Sequence, residues 1–439
     1  MKPYPKYKDS GIEWLGKVPE GWKVRRSRNV INYKKGKNPS VLLENNVNNQ
    51  YLPYLSMDYL RNNENEIYFV EKVKDTVIAN DGDILLLWDG SNAGEFIVSK
   101  NGAVSSTMAK ISPEKNLDKK FCFFLCKTIE PILRDHTIGM GIPHVNTNML
   151  KNIACPLPAK SEQTTIASFL DHKTTKIDEL IKKNERLIEL LKEKRQAIIS
   201  HAVTKGIPPH PPLEKGGWGN LKMKDSGIEW IGEISESWTL IPMKYVTYMK
   251  GRIGWQGLKQ SEFTDEGPYL ITGMNFKDGV IRWEEVYHIT EERYNEAPEI
   301  HLKVGDVLMT KDGTIGKVLF VDVLPDRASL NSHLLVLRPL KDHFLPKYLY
   351  YLLHSDYFKD HIEINKTGTT FFGITQEAVG RYKILLPPTK EQENIVSFID
   401  KETAKIDRII IKIQSQIESL KEYRQALISN VVTGKVRVT

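Results

Sequence analysis

Two long stretches of the chain carry apolar residues in a three-four alternation, which is the spacing of one face of a helix. The first stretch contains Ile166, Leu170, Ile177, Leu180, Leu187, Leu191 and Ile198, and the second contains Ile395, Ile399, Ile406, Ile409, Ile413, Leu420 and Leu427. A seam that continues over four or more heptads, with Lys and Glu around it, predicts a coiled coil. At about 1.5 Å per residue, each helix would span about 60 Å.

The second stretch repeats the first. Phe169 recurs as Phe398 and Arg195 recurs as Arg424, both 229 positions later. The polar seam residue Asn184 is replaced by Ile413, so it either fixes the register of the coiled coil or lies exposed at the edge of the seam. A repeat of this length indicates that the chain was built from two copies of one unit.

A second repeat lies upstream of each predicted helix. Residues 8–16 read KDSGIEWLG and residues 224–232 read KDSGIEWIG, 216 positions later. Inside each copy, GDILLLWDG (82–90) and GDVLMTKDG (305–313) predict a strand followed by an Asp-Gly turn. The helices therefore follow two copies of one mixed, strand-rich domain with several short helices.

Five segments follow from these repeats. We predict a first mixed domain (head one), a central helix, a linker rich in Pro and Gly, a second mixed domain (head two) and a C-terminal helix, over residues 1–155, 156–205, 206–220, 221–385 and 386–439. The expected fold class is α+β, with the two mixed α/β heads related by a pseudo-two-fold axis. If the second helix runs back from head two toward head one, the two helices form an antiparallel two-helix coiled coil that separates the heads. Met1 and Thr439 would then end near each other.

Charge distinguishes the two heads. The chain has a net charge of +7 and a pI near 8.9, which is compatible with nucleic acid without being diagnostic of it. A basic cluster follows Trp22 and consists of Lys23, Arg25, Arg26, Arg28, Lys34, Lys35 and Lys37. The corresponding stretch of head two is less basic. A repeated scaffold with divergent surface residues suits two different DNA sequences read at a fixed separation.

These repeated motifs resemble the specificity (S) subunit of type I restriction-modification systems. The matching segments are the two KDSGIEW repeats, the two strand-turn segments, and LPAKSEQ…RQAIIS and LPPTKEQ…RQALIS in the helices. The resemblance implies two target recognition domains, helices that set the spacer of a bipartite DNA target, and no catalysis by the chain itself. It implies as partners double-stranded DNA, two modification (methyltransferase) subunits and restriction/translocase subunits. The linker departs from the family pattern, because family members often pass from VTKG to KMKDSG within a few residues.

Candidate contact residues follow from this hypothesis. The basic cluster is expected to grip phosphates, although such a cluster is equally compatible with a solvated face. Polar and basic side chains on loops are the candidates for reading bases, and they are Asn92, Asn146 and Asn148 in head one and Gln256, Lys311 and Thr370 in head two. Two further cations of head two, Lys250 and Arg252, are also candidates for DNA contact. The residues Glu162, Gln163, Glu391 and Gln392 stand at the helix N-termini and are candidates for partner contact.

Catalytic motifs do not stand out in the sequence. The segment 313–318 (GTIGKV) lacks the spacing and the Ser/Thr of a P-loop, and Cys122 and Cys126 lack the second pair of ligands that a zinc site needs. We therefore expect no metal and no cofactor on this chain, and the resemblance implies S-adenosylmethionine, ATP and Mg²⁺ in the other subunits. The three cysteines and the lack of an apolar run of membrane-spanning length predict a cytoplasmic protein. Two alternatives stay open: a coiled-coil adaptor that binds proteins only, and a stand-alone nucleic-acid enzyme.

Overall fold

The computed structural model describes residues 2–46, 50–61, 67–71, 75–207, 222–229, 231–252, 257–276, 279–369 and 372–438. The chain forms two compact units. The first consists of Met1–Glu185 with Gln414–Thr439, and the second consists of Arg186–Ile413. Each unit thus combines one head with part of both long helices. The predicted linker lies almost entirely outside the described residues.

Head one is built from twelve short strands and three helices in its described part. The strands are β1 (Tyr7–Asp9), β2 (Lys17–Pro19), β3 (Lys23–Arg26), β4 (Ile31–Lys35), β5 (Leu52–Leu55), β6 (Phe69–Val70), β7 (Ile78–Ala79), β8 (Ile84–Leu87), β9 (Phe96–Val98), β10 (Gly102–Val104), β11 (Met108–Pro113) and β12 (Ala154–Leu157). The helices are α1 (Met57–Leu60), α2 (Lys119–Asp135) and α3 (Thr147–Asn152).

The central sheet of head one has the strand order β4-β11-β8-β9, and all its pairs are antiparallel. All four residues of β8 are buried, which fits its uninterrupted apolar sequence. Helix α2 begins after Asp118, whose carboxylate accepts hydrogen bonds from the main-chain N–H groups of Lys120 and Phe121. A second sheet, β6-β5-β10-β7, contains one parallel pair, β5 with β10.

Head two contains the following elements in its described part. The strands are β13 (Met223–Asp225), β14 (Glu233–Ser235), β15 (Thr239–Pro242), β16 (Thr247–Lys250), β17 (Thr264–Ile271), β18 (Tyr287–His288), β19 (Val307–Thr310), β20 (Val318–Phe320), β21 (Ala328–Leu330), β22 (Leu334–Pro339) and β23 (Lys383–Leu386). The helices are α5 (Glu291–Asn295), α6 (Pro346–His354), α7 (Asp356–Asn365) and α8 (Gln376–Arg381).

The two heads share one topology. The central sheet of head two has the order β16-β22-β19-β20, which matches β4-β11-β8-β9 strand for strand. The pairs β13-β14 and β15-β23 correspond to β1-β2 and β3-β12, and the parallel pair β17-β21 corresponds to β5-β10. The prediction of two copies of one mixed α/β domain is confirmed.

The predicted helices are α4 (Lys160–Lys205) and α9 (Thr389–Val432). Each head packs its core against the ends of both helices. In the first unit, Ile166 and Leu170 of α4 share a buried cluster with Leu427 and Ile428 of α9. In the second unit, Ile199 and Val203 of α4 share a cluster with Ile395 and Ile399 of α9.

The apolar seam differs from the predicted one at three positions. Leu180, Leu187 and Ile409 are 43–45% exposed, although they were assigned to the seam. The following residue is the more buried one in each case, namely Ile181, Ile188 and Ile410. Buried Thr174 and Thr403 complete the heptad frame, and their hydroxyls donate to the carbonyls of Leu170 and Ile399 four residues earlier. Asn184 is half-buried on this frame.

Equivalent ion pairs join the helices in both units. In the first unit, Arg424 Nη2 donates to Asp178 Oδ2 at 3.2 Å. In the second unit, Arg195 Nε donates to Asp407 Oδ1 at 3.0 Å. Asp178 and Asp407 occupy equivalent positions of the repeat, and so do Arg195 and Arg424, so each copy's Asp pairs with the other copy's Arg. This exchange is what a pseudo-two-fold repeat requires.

The ends of the chain meet in the first unit. Lys2 and Arg437 form an antiparallel bridge, and Arg437 N donates to Lys2 O at 2.8 Å. The Tyr7 hydroxyl donates to the carbonyl of Lys435 at 3.3 Å. Met1 and Thr439 themselves lie outside the described residues, but their neighbours are adjacent as predicted.

Candidate nucleic-acid interface

The basic cluster of head one is exposed at every predicted position. Lys23, Arg25 and Arg26 lie on β3, Arg28 follows in a 3₁₀ turn, Lys34 and Lys35 end β4, and Lys37 comes two residues later. Strand β3 forms a sheet with β12, whereas β4 is the edge strand of the central sheet. The cluster therefore occupies two strands of the same head.

Four of these cations have protein partners. Arg26 Nη1 donates to Asn152 O at 2.6 Å, and Arg28 Nη1 donates to Asn152 Oδ1 at 3.1 Å. Lys35 and Lys37 form ion pairs with Asp89 at 2.9 Å and with Asp75 at 3.1 Å. Lys23, Arg25 and Lys34 make no ion pair with any residue in the described ranges. These three are the most available to an anionic ligand.

A basic groove lies beside β3 in head one. Its lining includes Lys23, Arg25, Lys115 and Lys160. The repeat places Thr239, Ile241 and Thr389 at the positions of Lys23, Arg25 and Lys160 in head two, whereas the turn after β22 keeps a lysine, Lys341, at the position of Lys115. Three of the four cations are thus specific to head one, which suits a ligand that the two heads do not contact in the same way.

The candidate base-reading residues of head one lie near two loops. Asn92 is half-buried in the turn after β8, and Asn148 is exposed in the first turn of α3. Asn146 is the N-cap of α3, and its Oδ1 accepts from Met149 N at 3.1 Å. Thr375 caps α8 at the equivalent position of head two. Asn146 therefore has a structural role in the fold, and its amide N–H groups remain available to a ligand.

Head two yields one correction among its candidates. Arg252 is 2% exposed, and its guanidinium donates to Leu330 O at 2.9 Å and to Ser329 Oγ at 3.1 Å. Burial lowers the pKa of this guanidinium. A side chain enclosed in the domain cannot reach DNA, so the predicted contact at Arg252 is wrong.

The other candidates of head two divide by exposure. Lys250 is exposed at the end of β16. Lys311 is half-buried, with Nζ at 4.0 Å from Asp312 Oδ2. Gln256 and Thr370 lie outside the described residues.

Two of the predicted partner contacts are also wrong. Gln163 is 4% exposed; its Oε1 accepts from Asp118 N at 2.8 Å and its Nε2 donates to Pro158 O at 3.0 Å. Gln392 is 1% exposed and makes the equivalent bonds to Leu345 N at 2.8 Å and to Pro387 O at 2.9 Å. Both amides join the start of a long helix to its own head, so neither is available to a partner subunit.

The neighbouring glutamates remain partly accessible. Glu162 accepts hydrogen bonds from the Tyr4 hydroxyl at 2.8 Å and from Trp22 Nε1 at 3.1 Å. Burial, followed by the hydrogen bond to Glu162, raises the pKa of Tyr4 above its usual range. Glu391 is half-buried at the equivalent position. Glu162 thus has an internal role, and partner contact at either glutamate stays a prediction.

The three cysteines lie in the core of head one. Cys122, Cys126 and Cys155 are all buried and free. Burial raises the pKa of Cys155 to about 12 and raises that of Cys126 well above its usual value, so both thiols stay protonated. Within the described ranges, no group of three or more His, Cys, Asp and Glu side chains could hold a metal ion.

The structure brings together a cluster that the sequence analysis did not single out. Asp89 contacts both Lys35 and His144 beside the end of β8. The only sequence signal for this cluster was the Asp-Gly that follows a buried strand in both copies. His144 gave no signal, because it lies 55 residues from Asp89 in the chain.

Comparison with known proteins assigns the family. The family model described as "Type I restriction modification DNA specificity domain" matches residues 19–190 and 256–419. The chain belongs to this family. A specificity subunit of the type I restriction enzyme MjaVIII from Methanocaldococcus jannaschii is 32% identical over 427 residues, covering 96% of this chain and 94% of that protein. The EcoKI specificity subunit of Escherichia coli K12 is 22% identical, covering 96% of this chain and 90% of that protein.

A solved structure supports the fold of this specificity subunit. A chain reported under "Structural basis underlying complex assembly and conformational transition of the type I R-M system" superposes with a TM-score of 0.68 at 17% identity, covering 95% of this chain and 99% of that one. The family assignment favours DNA recognition over a protein-only adaptor. No helix of the described residues is long and apolar enough to span a membrane.

Proposed function

We propose that this specificity subunit reads a bipartite DNA sequence, with one half-site for each head and a spacer set by α4 and α9. The observation that carries the proposal is the repeat itself. The two heads share one strand order, whereas Lys23 and Arg25 on β3 are replaced by Thr239 and Ile241 on β15. A common frame with different surface side chains suits two different half-sites.

Phosphate contact is the role that the basic cluster supports best. Lys23, Arg25 and Lys34 are exposed and free of ion pairs with other described residues. Each phosphate that a cation neutralises releases counterions, so affinity falls with salt. Such contacts position the protein on the duplex and carry no sequence information by themselves.

The helices are suited to measure distance and to hold partners. Helix α4 has 46 residues, which corresponds to about 70 Å. Exposed residues of α4 recur unchanged on α9, at Lys176/Lys405, Lys183/Lys412, Glu189/Glu418, Glu193/Glu422 and Ala197/Ala426. Leu180 and Ile409 are each 45% exposed at equivalent positions. A solvated face does not need identical residues twice, whereas a partner that binds twice does. We assign this repeated face to two modification subunits.

Chemistry is assigned to the other subunits of the complex. In this proposal the chain holds no S-adenosylmethionine, ATP or Mg²⁺, and restriction/translocase subunits join the assembled complex. The family assignment supports the specificity role. Methyl transfer by the purified chain with S-adenosylmethionine alone would contradict a non-catalytic role.

Native mass spectrometry can test the docking face. Lys183→Glu and Lys412→Glu each reverse one charge of the repeated face. We expect each single variant to retain one modification subunit, and the double variant to retain none. Lys173→Glu is the matched control, because Glu402 already stands at the equivalent position of the second copy. Two subunits bound by the double variant would contradict this assignment.

An electrophoretic shift tests the DNA-binding function. The chain and its modification subunits should shift random duplex DNA at low salt, and the shift should weaken steeply as salt rises. No shift at low salt would contradict the proposed function.

A further inference from the structure

The Asp-Gly turn after β8 presents a fixed imidazole at the surface of head one. Asp89 Oδ1 lies 2.6 Å from His144 Nδ1, and Asp89 Oδ2 lies 2.9 Å from Lys35 Nζ. The His144 side chain is 47% exposed. Burial by itself raises the pKa of Asp89, but hydrogen bonds from Lys35 and His144 outweigh it and leave the pKa below its usual value. The carboxylate is therefore ionised and can only accept, so His144 Nδ1 carries a proton.

His144 closes a hairpin whose tip is apolar and exposed. His144 and Ile138 exchange two main-chain hydrogen bonds, at 2.7 and 2.9 Å. Gly139 has a φ of 115°, and a Cβ there would lie 2.5 Å from the carbonyl oxygen of Ile142. Met140 at the tip is fully exposed. The backbone is thus fixed, while the side chains of the hairpin face solvent.

Head two contains the same frame. Thr367 and Gly373 exchange two main-chain hydrogen bonds at 2.8 Å, as Ile138 and His144 do. Gly313 N donates to Phe372 O at 3.0 Å, which reproduces the bond of 2.9 Å from Gly90 N to Pro143 O. Asp312 bridges to Gly373 just as Asp89 bridges to His144. The turn and the hairpin are therefore shared features of both heads.

The side chains on this frame differ between the heads. The position of His144 is occupied by Gly373, and that of Met140 by Thr369. Asp312 nevertheless has an imidazole partner, because His333 Nδ1 lies 3.3 Å from Asp312 Oδ2. His333 is supplied by the segment before β22 rather than by the hairpin, and its side chain is 53% exposed. Each head thus presents one carboxylate-oriented imidazole, from different positions in the two copies.

We propose that His144 in head one and His333 in head two are specificity-determining residues, each reading a base edge in its own half-site. This inference rests on the proposed function, because it concerns the same DNA. Main-chain hydrogen bonds of the turn and the hairpin that recur in both heads fit the shared task of approaching a groove of the DNA. An imidazole that contacts the turn aspartate from the hairpin in head one and from the segment before β22 in head two fits the task of distinguishing two sequences. The repeated helix face shows the opposite pattern, because its side chains are identical.

The fixed tautomer determines what His144 can read. With Nδ1 donating to Asp89, Nε2 of the neutral ring is an acceptor. An acceptor matches the exocyclic amino group of adenine or of cytosine in the major groove. The protonated ring would instead donate to N7 or O6 of guanine. Removal of the ring should relax discrimination at one base pair by about ten-fold.

The test uses the assembled complex of full-length specificity subunits with modification subunits. His144→Ala and His333→Ala are compared by mapping every methylated position in a library of random duplexes. We expect His144→Ala to accept additional bases at one position of one half-site only. His333→Ala should relax one position of the other half-site only. The controls are His136→Ala and His343→Ala, which remove exposed histidines that do not contact Asp89 or Asp312.

Four results would contradict either the inference or the proposed function on which it rests. Unchanged methylation motifs for both variants, with normal DNA binding, would refute base reading by these residues and leave the proposed function intact. Relaxation in the same half-site by both variants would refute their division between the heads. Failure of the wild-type complex to bind DNA would contradict the proposed function itself. If His144→Ala does not fold, as judged by circular dichroism, His144→Gln should fold and change the preferred base at the same position; an unchanged motif would count against the proposal.

Discussion

Replacement of Gln163 by alanine should destabilise head one without any partner present. The change removes the acceptor of the Asp118 N–H group and the donor to the Pro158 carbonyl. Each buried polar group that loses its hydrogen-bond partner lowers the free energy of unfolding by about 1–3 kcal/mol. The basic groove borders Gln163, so water can replace part of the lost bonding. We therefore expect a loss near the lower end of the sum, about 2 kcal/mol.

Hydrogen exchange is the suitable assay because the chain contains two compact units. A loss of about 2 kcal/mol corresponds to roughly 30-fold faster exchange of the Asp118 amide and its neighbours at the start of α2. Gln392→Ala should produce the same effect on the Leu345 amide in head two. Ser168→Ala, an exposed change on α4, is the control.

The opposite outcome has a clear meaning. If Gln163→Ala leaves exchange unchanged in the isolated chain and instead weakens binding of a modification subunit, the amide serves a partner. The internal role inferred from its burial and its hydrogen bonds would then be refuted.

Three further predictions concern acid stability, spacing and phosphate contact. Burial by itself raises the pKa of Asp83, but hydrogen bonds from Lys110, Lys119 and the Asn80 amide lower it to about 2. The contribution of Asp83 to the free energy of unfolding is therefore complete above the unfolded pKa near 3.8 and is lost as the pH falls toward 2. Asp83→Asn should therefore remove roughly 2 kcal/mol at neutral pH and flatten the acid limb of urea unfolding; an unchanged acid limb would contradict this. Insertion of seven residues at equivalent positions of α4 and α9 keeps the seam and adds about 10 Å, so the methylated spacer should grow by about three base pairs with unchanged half-sites; altered half-sites would show that the helices do not set the distance. Lys23→Ala with Arg25→Ala should lower the slope of log affinity against log salt by up to about 2 and leave the methylation motif unchanged; a changed motif would indicate base contact.

The architecture was predictable from the sequence because each motif occurs twice, so that each copy supports the interpretation of the other. Two copies of each motif gave the order of the segments, and the alternation of apolar residues located both helices. The frame of the seam was ambiguous where two apolar residues adjoin, as at Leu180–Ile181 and Ile409–Ile410. Thr174 and Thr403 are buried polar seam residues, and a pattern of apolar positions passes over them.

The contact residues were harder to predict because burial is a tertiary property. Arg252 looked like a DNA-binding cation, but packing encloses it and gives it two acceptors within head two. Gln163 stands at the first turn of a helix, where exposure is common, yet the fold presents Asp118 N and Pro158 O to its amide. Asp89 and His144 come together only because the hairpin folds back onto the turn after β8.

The measurement that tests the account most directly is mapping of the bases methylated by the assembled complex in DNA. The account predicts one motif of two short, different, fixed segments separated by a constant number of unspecified base pairs. A single continuous motif, two identical segments or a variable spacer would contradict the proposed division of labour, in which each head reads one half-site and α4 and α9 set the spacer.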